Sequence, residues 1–87
     1  MSMLSKKQEN ALRILKARLF DAKADYLESM DIFIRLYNSE PDKEPFYKWS
    51  LWRARFKLAR DDMAKMFSRY NRALNYYDNY RKVALGL

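Results

Sequence analysis

Apolar and aromatic residues recur at alternating intervals of three and four along the whole second half of the chain. A mean spacing of about 3.5 residues keeps these side chains on one stripe of an α-helix, facing a partner helix. The second half is therefore predicted to be one long helix with a helical neighbour. Its stripe comprises Trp49, Trp52, Phe56, Ala59, Met63, Met66, Tyr70, Ala73, Tyr77, Tyr80, Ala84 and Leu87.

The first half carries a similar series, and a proline-containing segment separates the two. Pro41 and Pro45 each disfavour helical geometry at the residue before them. Ser5 followed by Gln8 has the form of a capping box, and the sole glycine, Gly86, suits a helix end. These signals predict a helix over about 6–37, a loop over 38–45 and a helix over about 45–84. The first stripe comprises Leu12, Leu15, Leu19, Ala22, Tyr26, Met30, Phe33 and Tyr37.

Two helices of about 32 and 40 residues would be roughly 48 and 60 Å long, and a short loop makes them antiparallel. The predicted fold is all-α, a single helical domain over 1–87 built as a hairpin. The second helix also has apolar residues off its stripe, which favour pairing of two hairpins into a dimeric four-helix bundle. The alternative is a monomer of three or four helices, folded back at Asp61-Asp62 or in the asparagine-rich stretch. The off-stripe residues are Leu51, Leu58, Phe67, Leu74, Tyr76 and Val83.

The composition excludes several functional classes. The 87 residues include no cysteine and no histidine, which removes disulfides, thiolate and imidazole ligands and the usual nucleophile–base pairs. With no paired acid and base in a predicted pocket, we expect a protein that is not an enzyme and needs no cofactor or metal. No apolar segment resembles a membrane span or a signal peptide, so we expect a cytoplasmic protein without a membrane partner.

Positive charge is concentrated in the second half of the chain. Residues 1–44 contain eight basic and eight acidic side chains, whereas residues 45–87 contain ten basic and three acidic. Such a basic helix attracts polyanions or acidic protein surfaces. In an antiparallel hairpin, the acids of the first helix, Asp21 to Asp31, would lie near residues 52–62. The sequence thus suggests the ion pairs Glu28–Arg55 and Asp25–Arg60. These pairs would fix the register of the two helices more than they would stabilise the fold.

Two segments of the second helix are candidates for binding. Residues 46–60 mix aromatic and basic side chains and contain no acid, a combination found in single-strand nucleic-acid binders. Residues 69–82 mix arginine, tyrosine and asparagine, which are frequent in recognition surfaces. The tryptophans belong to the core stripe, so the flanking charges are the stronger candidates. The predicted partner-binding residues are Lys48, Arg53, Arg55, Lys57, Arg60, Arg69, Arg72 and Tyr76.

These features favour a non-enzymatic binding protein. The expected partner is a larger protein or nucleoprotein complex with an acidic surface, which the basic helix would engage stoichiometrically. Small, cysteine-free helical chains with one charged face are common among phage and mobile-element proteins that inhibit or regulate a larger assembly. The alternative is direct binding of DNA or RNA, with the same residues contacting phosphates.

Overall fold

The computed structural model describes residues 4–86, which form two α-helices joined by a short loop. Helix α1 is Lys6–Asn38 and helix α2 is Phe46–Leu85. The helices pack against each other as a hairpin that measures 67 × 15 × 15 Å. The predicted all-α helical hairpin is confirmed. Both helices are continuous, α2 passing through Asp61-Asp62 and the asparagines without a break, so the chain does not fold back on itself a second time.

Local side-chain and backbone hydrogen bonds define the helix ends. At the start of α1, the Gln8 backbone N–H donates to Ser5 Oγ at 3.1 Å, and the Ser5 N–H donates to Gln8 Oε1 at 3.0 Å. This is the predicted capping box, which satisfies two otherwise unpaired donors. At the end of α2, Gly86 has φ 71°, and its N–H donates to the Lys82 and Val83 carbonyls. A left-handed residue there favours glycine.

The interface between the helices follows a heptad pattern with Leu12 of α1 and Trp49 of α2 at a positions. Every member of the predicted α2 stripe from Trp49 to Ala84 is at least half-buried, while Leu87 lies outside the described residues. In α1 the prediction is wrong at its end, because Tyr37 is 65% exposed. Ser29 and Leu36 occupy the inward d positions instead. Because Ser29 is polar, the pattern of apolar residues in the sequence does not reveal the strict heptad of α1.

The core of the hairpin is thin. Ala22 and Ser29, each 5% exposed, are the only residues in the described chain that are more than nine-tenths buried. The accessible surface is 7184 Å², whereas a globular monomer of 10.6 kDa is expected to expose about 5500 Å². That excess is comparable to the area that one subunit loses in an obligate complex, roughly 1000 to 2500 Å². The isolated hairpin therefore has surface available for further association.

The register of the two helices differs from the predicted one. Asp25 pairs with Arg69 at 3.5 Å rather than with Arg60, whose ion pair is with its neighbour Asp61 at 3.9 Å. Arg55 has no ion pair with Glu28 in the described structure. Both predicted pairs are therefore wrong. The prediction assumed that residues at equal distances from the loop lie opposite each other, and the observed pairing of the helices does not have this symmetry.

The first turns of α2 pack over the loop and the end of α1, and this explains the shift in register. The Trp52 indole N–H donates to the Leu36 carbonyl at 2.7 Å. The Trp49 indole N–H donates to Glu40 Oε1 at 3.1 Å. Phe56 then reaches Phe33, with ring centroids 4.9 Å apart. The two tryptophans thus fix where the helices begin to pair.

Trp52→Phe is expected to lower the free energy of unfolding by about 1 kcal/mol, because it removes a part-buried hydrogen bond. Chemical denaturation followed by circular dichroism at fixed protein concentration would measure the change. Trp49→Phe is the matched control, since its bond to Glu40 is exposed and its loss should cost less. A larger loss for Trp49→Phe would contradict this explanation of the register.

Candidate binding surfaces

The hairpin has two long sides with different chemistry. In an antiparallel helix pair, e positions flank e positions and g positions flank g positions. The structure follows this rule: Asp25 and Arg69, both at g, form an ion pair, and Tyr37 and Arg53, both at e, line one groove. We call the side that carries the e and b positions the acid-poor side. The side that carries the g and c positions is the mixed-charge side.

The eight predicted partner-binding residues are divided between these sides. Arg53, Lys57 and Arg60, spaced four and three apart, lie together on the acid-poor side. Arg69, Arg72 and Tyr76 lie together on the mixed-charge side. Lys48 and Arg55 occupy g positions on that side and line neither of these two grooves. The predicted set is therefore not one continuous surface.

An aromatic groove of about 540 Å³ lies near the loop on the acid-poor side. Arg53 lies over the Trp49 ring at 5.3 Å from its centroid, and Lys43 lies at 5.7 Å. Trp52 is stacked on Phe56, with centroids 5.1 Å apart and an interplanar angle of 23°. These ring faces already have neighbours in the chain, which leaves little of them for stacking with nucleotide bases. The groove lining is Tyr37, Glu40, Trp49, Trp52, Arg53, Phe56, Lys57 and Arg60.

An arginine groove, also about 540 Å³, lies between the helices on the mixed-charge side. Small side chains make room for it, because Ala22 of α1 and Ala73 of α2 both line the groove. Arg69 is partly neutralised by Asp25. Sequence reasoning missed Arg18, which belongs to the electrically neutral half and reaches the groove only through the helix register. The lining is Leu15, Arg18, Asp21, Ala22, Arg69, Arg72, Ala73 and Tyr76.

Most cations of the predicted set are free of internal ion pairs. The four ion pairs among residues 4–86 are all solvent-exposed, and of the predicted residues they involve only Arg60 and Arg69. Exposed pairs of this kind contribute about 0 to 1 kcal/mol to stability. The remaining cations are thus available to an external anionic group. They are Lys48, Arg53, Arg55, Lys57 and Arg72.

An exposed apolar row on α1 was also missed. Phe20, Leu27 and Ile34, at b positions, are 57%, 45% and 46% exposed. The seven-residue spacing of these side chains is present in the sequence. It was not identified there because the core stripe has the more complete apolar pattern. On α2, Phe67 at an e position is 50% exposed and lies 5.4 Å from the Tyr26 ring. The acid-poor side therefore combines basic and apolar residues.

Metal and membrane sites find no support in the described part of the chain. Residues 4–86 contain no group of three or more side chains suited to hold a metal ion. Neither α1 nor α2 has a stretch of the length and hydropathy that crossing a membrane requires.

The chain matches no protein-family model, and neither curated proteins nor solved structures show significant similarity to it.

Proposed function

We propose that this chain is a non-enzymatic binding protein that associates stoichiometrically with an acidic surface of a larger protein complex. The supporting observation is that five of the predicted partner-binding cations, all exposed on α2, have no acidic partner within the described chain. A thin hairpin with excess exposed surface gains stability from such an association. Blocking or redirecting the larger complex by occupancy, as phage and mobile-element inhibitors do, is the mode of action we propose. The absence of cysteine is compatible with a reducing compartment such as the cytoplasm.

Direct nucleic-acid binding is the second candidate, favoured by the arginine groove. Arg18 and Arg72 line this groove and have no ion pair among residues 4–86, and guanidinium groups match phosphate geometry. A protein partner is favoured over nucleic acid because Trp49 and Trp52 already stack against neighbours in the chain. Single-strand binders need free aromatic faces for bases.

The test is affinity capture from the native host, with and without nuclease, followed by reconstitution from purified components. We expect a defined protein that stays bound after nuclease treatment and forms a complex of fixed ratio. Loss of all binding after nuclease treatment, together with a steep, sequence-independent salt dependence for purified DNA or RNA, would contradict the proposal.

We also propose a homodimer formed through the mixed-charge side. A groove of about 330 Å³ on this side is lined by Asp25, Glu28 and Asp62. Basic residues such as Arg55 lie at g positions on the same side, so a twofold axis between the acidic and basic segments would place the acids of one copy against the bases of the other. Leu51 and Leu58, which are 59% and 71% exposed at c positions, would supply apolar contact.

Light scattering coupled to size exclusion is expected to give twice the 10.6 kDa chain mass at micromolar concentration. Leu51→Glu combined with Leu58→Glu should shift the mass to that of a monomer, because it introduces acids into the proposed contact. The matched control, Phe20→Glu with Ile34→Glu on the acid-poor side, should remain dimeric. A monomer mass for the unmodified protein over the whole concentration range would refute the dimer.

A further inference from the structure

The acid-poor side is almost entirely basic or apolar. Its e and b positions hold eight cations and two acids, and the acids, Glu9 and Asp78, lie at the end of the hairpin far from the loop. Asp78 is 3.9 Å from Arg81, one of the eight. From that end to the loop, no acid occupies an e or b position of either helix. The cations are Lys6, Arg13, Lys16, Lys23, Arg53, Lys57, Arg60 and Arg81.

Apolar side chains occupy the middle of the same side. Phe20, Leu27 and Ile34 form a row of two heptads, about 21 Å long at 1.5 Å per residue. Phe67 and Leu74, at e positions of α2, border this row, with Phe67 in ring contact with Tyr26. Cations flank the row, and the Lys16 ammonium lies 5.8 Å from the Phe20 ring centroid. Exposed apolar rows with charged margins mark protein interaction sites.

We propose that the acid-poor side binds an acidic amphipathic helix of a partner protein. Its apolar face would pack on the Phe20–Leu27–Ile34 row, and its aspartates and glutamates would meet the flanking lysines and arginines. Helix-in-groove recognition uses anchors at i, i+3 or i+4, and i+7, which is the spacing this row can receive. A second copy of this chain is disfavoured on this side, because it would bring eight cations against eight. This inference rests on the proposed function and specifies the partner's chemistry.

The test uses a synthetic, fluorescein-labelled acidic peptide of three heptads with leucines on one helical face and glutamates elsewhere. A scrambled peptide of the same composition keeps the charge but has no apolar face. We expect the amphipathic peptide to bind at least about tenfold more tightly than the scrambled one by fluorescence anisotropy, because only it can bury leucines. Oligothymidine and vesicles of anionic phospholipid are measured in parallel, because they test single-stranded nucleic acid and an anionic membrane as other occupants of the same side.

Leu27→Gln with Ile34→Gln should weaken peptide binding by about tenfold or more, since both side chains are exposed in the free protein and buried in the complex. Ile14→Gln with Val83→Gln, at exposed apolar positions of the mixed-charge side that have no part in the proposed dimer contact, should change it less than about twofold, with oligomeric state measured in parallel. Lys23→Glu with Arg60→Glu is a second disruptive variant that leaves the apolar row intact. Circular dichroism checks that each variant is helical.

Equal binding of the amphipathic and scrambled peptides, or tighter binding of oligothymidine or vesicles, would overturn the inference. Its failure is distinguishable from failure of the proposed function. If the affinity of a reconstituted partner complex is unchanged by the Leu27 and Ile34 substitutions, the acid-poor side is not the docking surface. Stoichiometric binding would still stand in that case. Absence of any nuclease-resistant complex of fixed ratio would refute the proposed function itself.

Discussion

Phe56→Ala is expected to lower the free energy of unfolding by about 2 to 4 kcal/mol, because truncating this half-buried ring leaves a cavity and also loses the transfer free energy of the removed atoms. Phe56 is the centre of the aromatic cluster near the loop, with ring centroids 4.9 Å from Phe33, 5.1 Å from Trp52 and 6.4 Å from Tyr37. Urea denaturation followed by circular dichroism measures the change.

Lys65→Ala is the surface control for this experiment, and it should cost less than about 0.5 kcal/mol, as is usual for an exposed position. Met63→Ala, on the same stripe as Phe56, should again be the more costly change. If stripe and surface variants unfold at the same denaturant concentration, the assigned interface between α1 and α2 is incorrect.

The sequence predicted the helices and their ends because those signals are local. Serine and glutamine three residues apart, the two prolines and Gly86 each act within one turn, and the α2 stripe is unbroken. Ser29 shows where local reasoning failed. Its hydroxyl donates to the Tyr26 carbonyl at 2.7 Å, so a polar residue fills a core position without an unpaired group, and no hydrophobic pattern could identify it.

The candidate site was less predictable because it depends on register. The packing of Trp49 and Trp52 over the loop determines which α1 residues lie beside Arg69. The two tryptophans are held there by hydrogen bonds to Glu40 and to the Leu36 carbonyl, and such bonds produce no periodic pattern in the sequence. Arg18 could not be placed in the arginine groove without them. The division of the predicted cations into two sides follows from heptad positions and was accessible from the sequence.

Arg53→Glu combined with Arg60→Glu is expected to slow association with the acidic amphipathic peptide by about tenfold to a hundredfold at low salt. Exposed charge acts mainly on the encounter rate, and this variant replaces two cations of the acid-poor side with acids. Stopped-flow fluorescence would measure the rate, and the difference should shrink as salt is raised.

The matched control is Lys7→Glu combined with Lys82→Glu, which changes net charge equally but at c and f positions outside the acid-poor side. It should slow association much less, because local rather than total charge guides the encounter. Equal slowing by both double variants would mean that net charge alone attracts the peptide and that the acid-poor side has no special role.

Native mass spectrometry of the protein with and without the acidic amphipathic peptide tests most directly whether the two sides have separate occupants. We expect a species of twice 10.6 kDa for the protein alone and the same dimer carrying two peptides after addition. If adding the peptide converts the dimer into one-to-one complexes, the peptide and the second copy of the chain compete for the same side. A protein that stays monomeric and unbound would contradict both assignments.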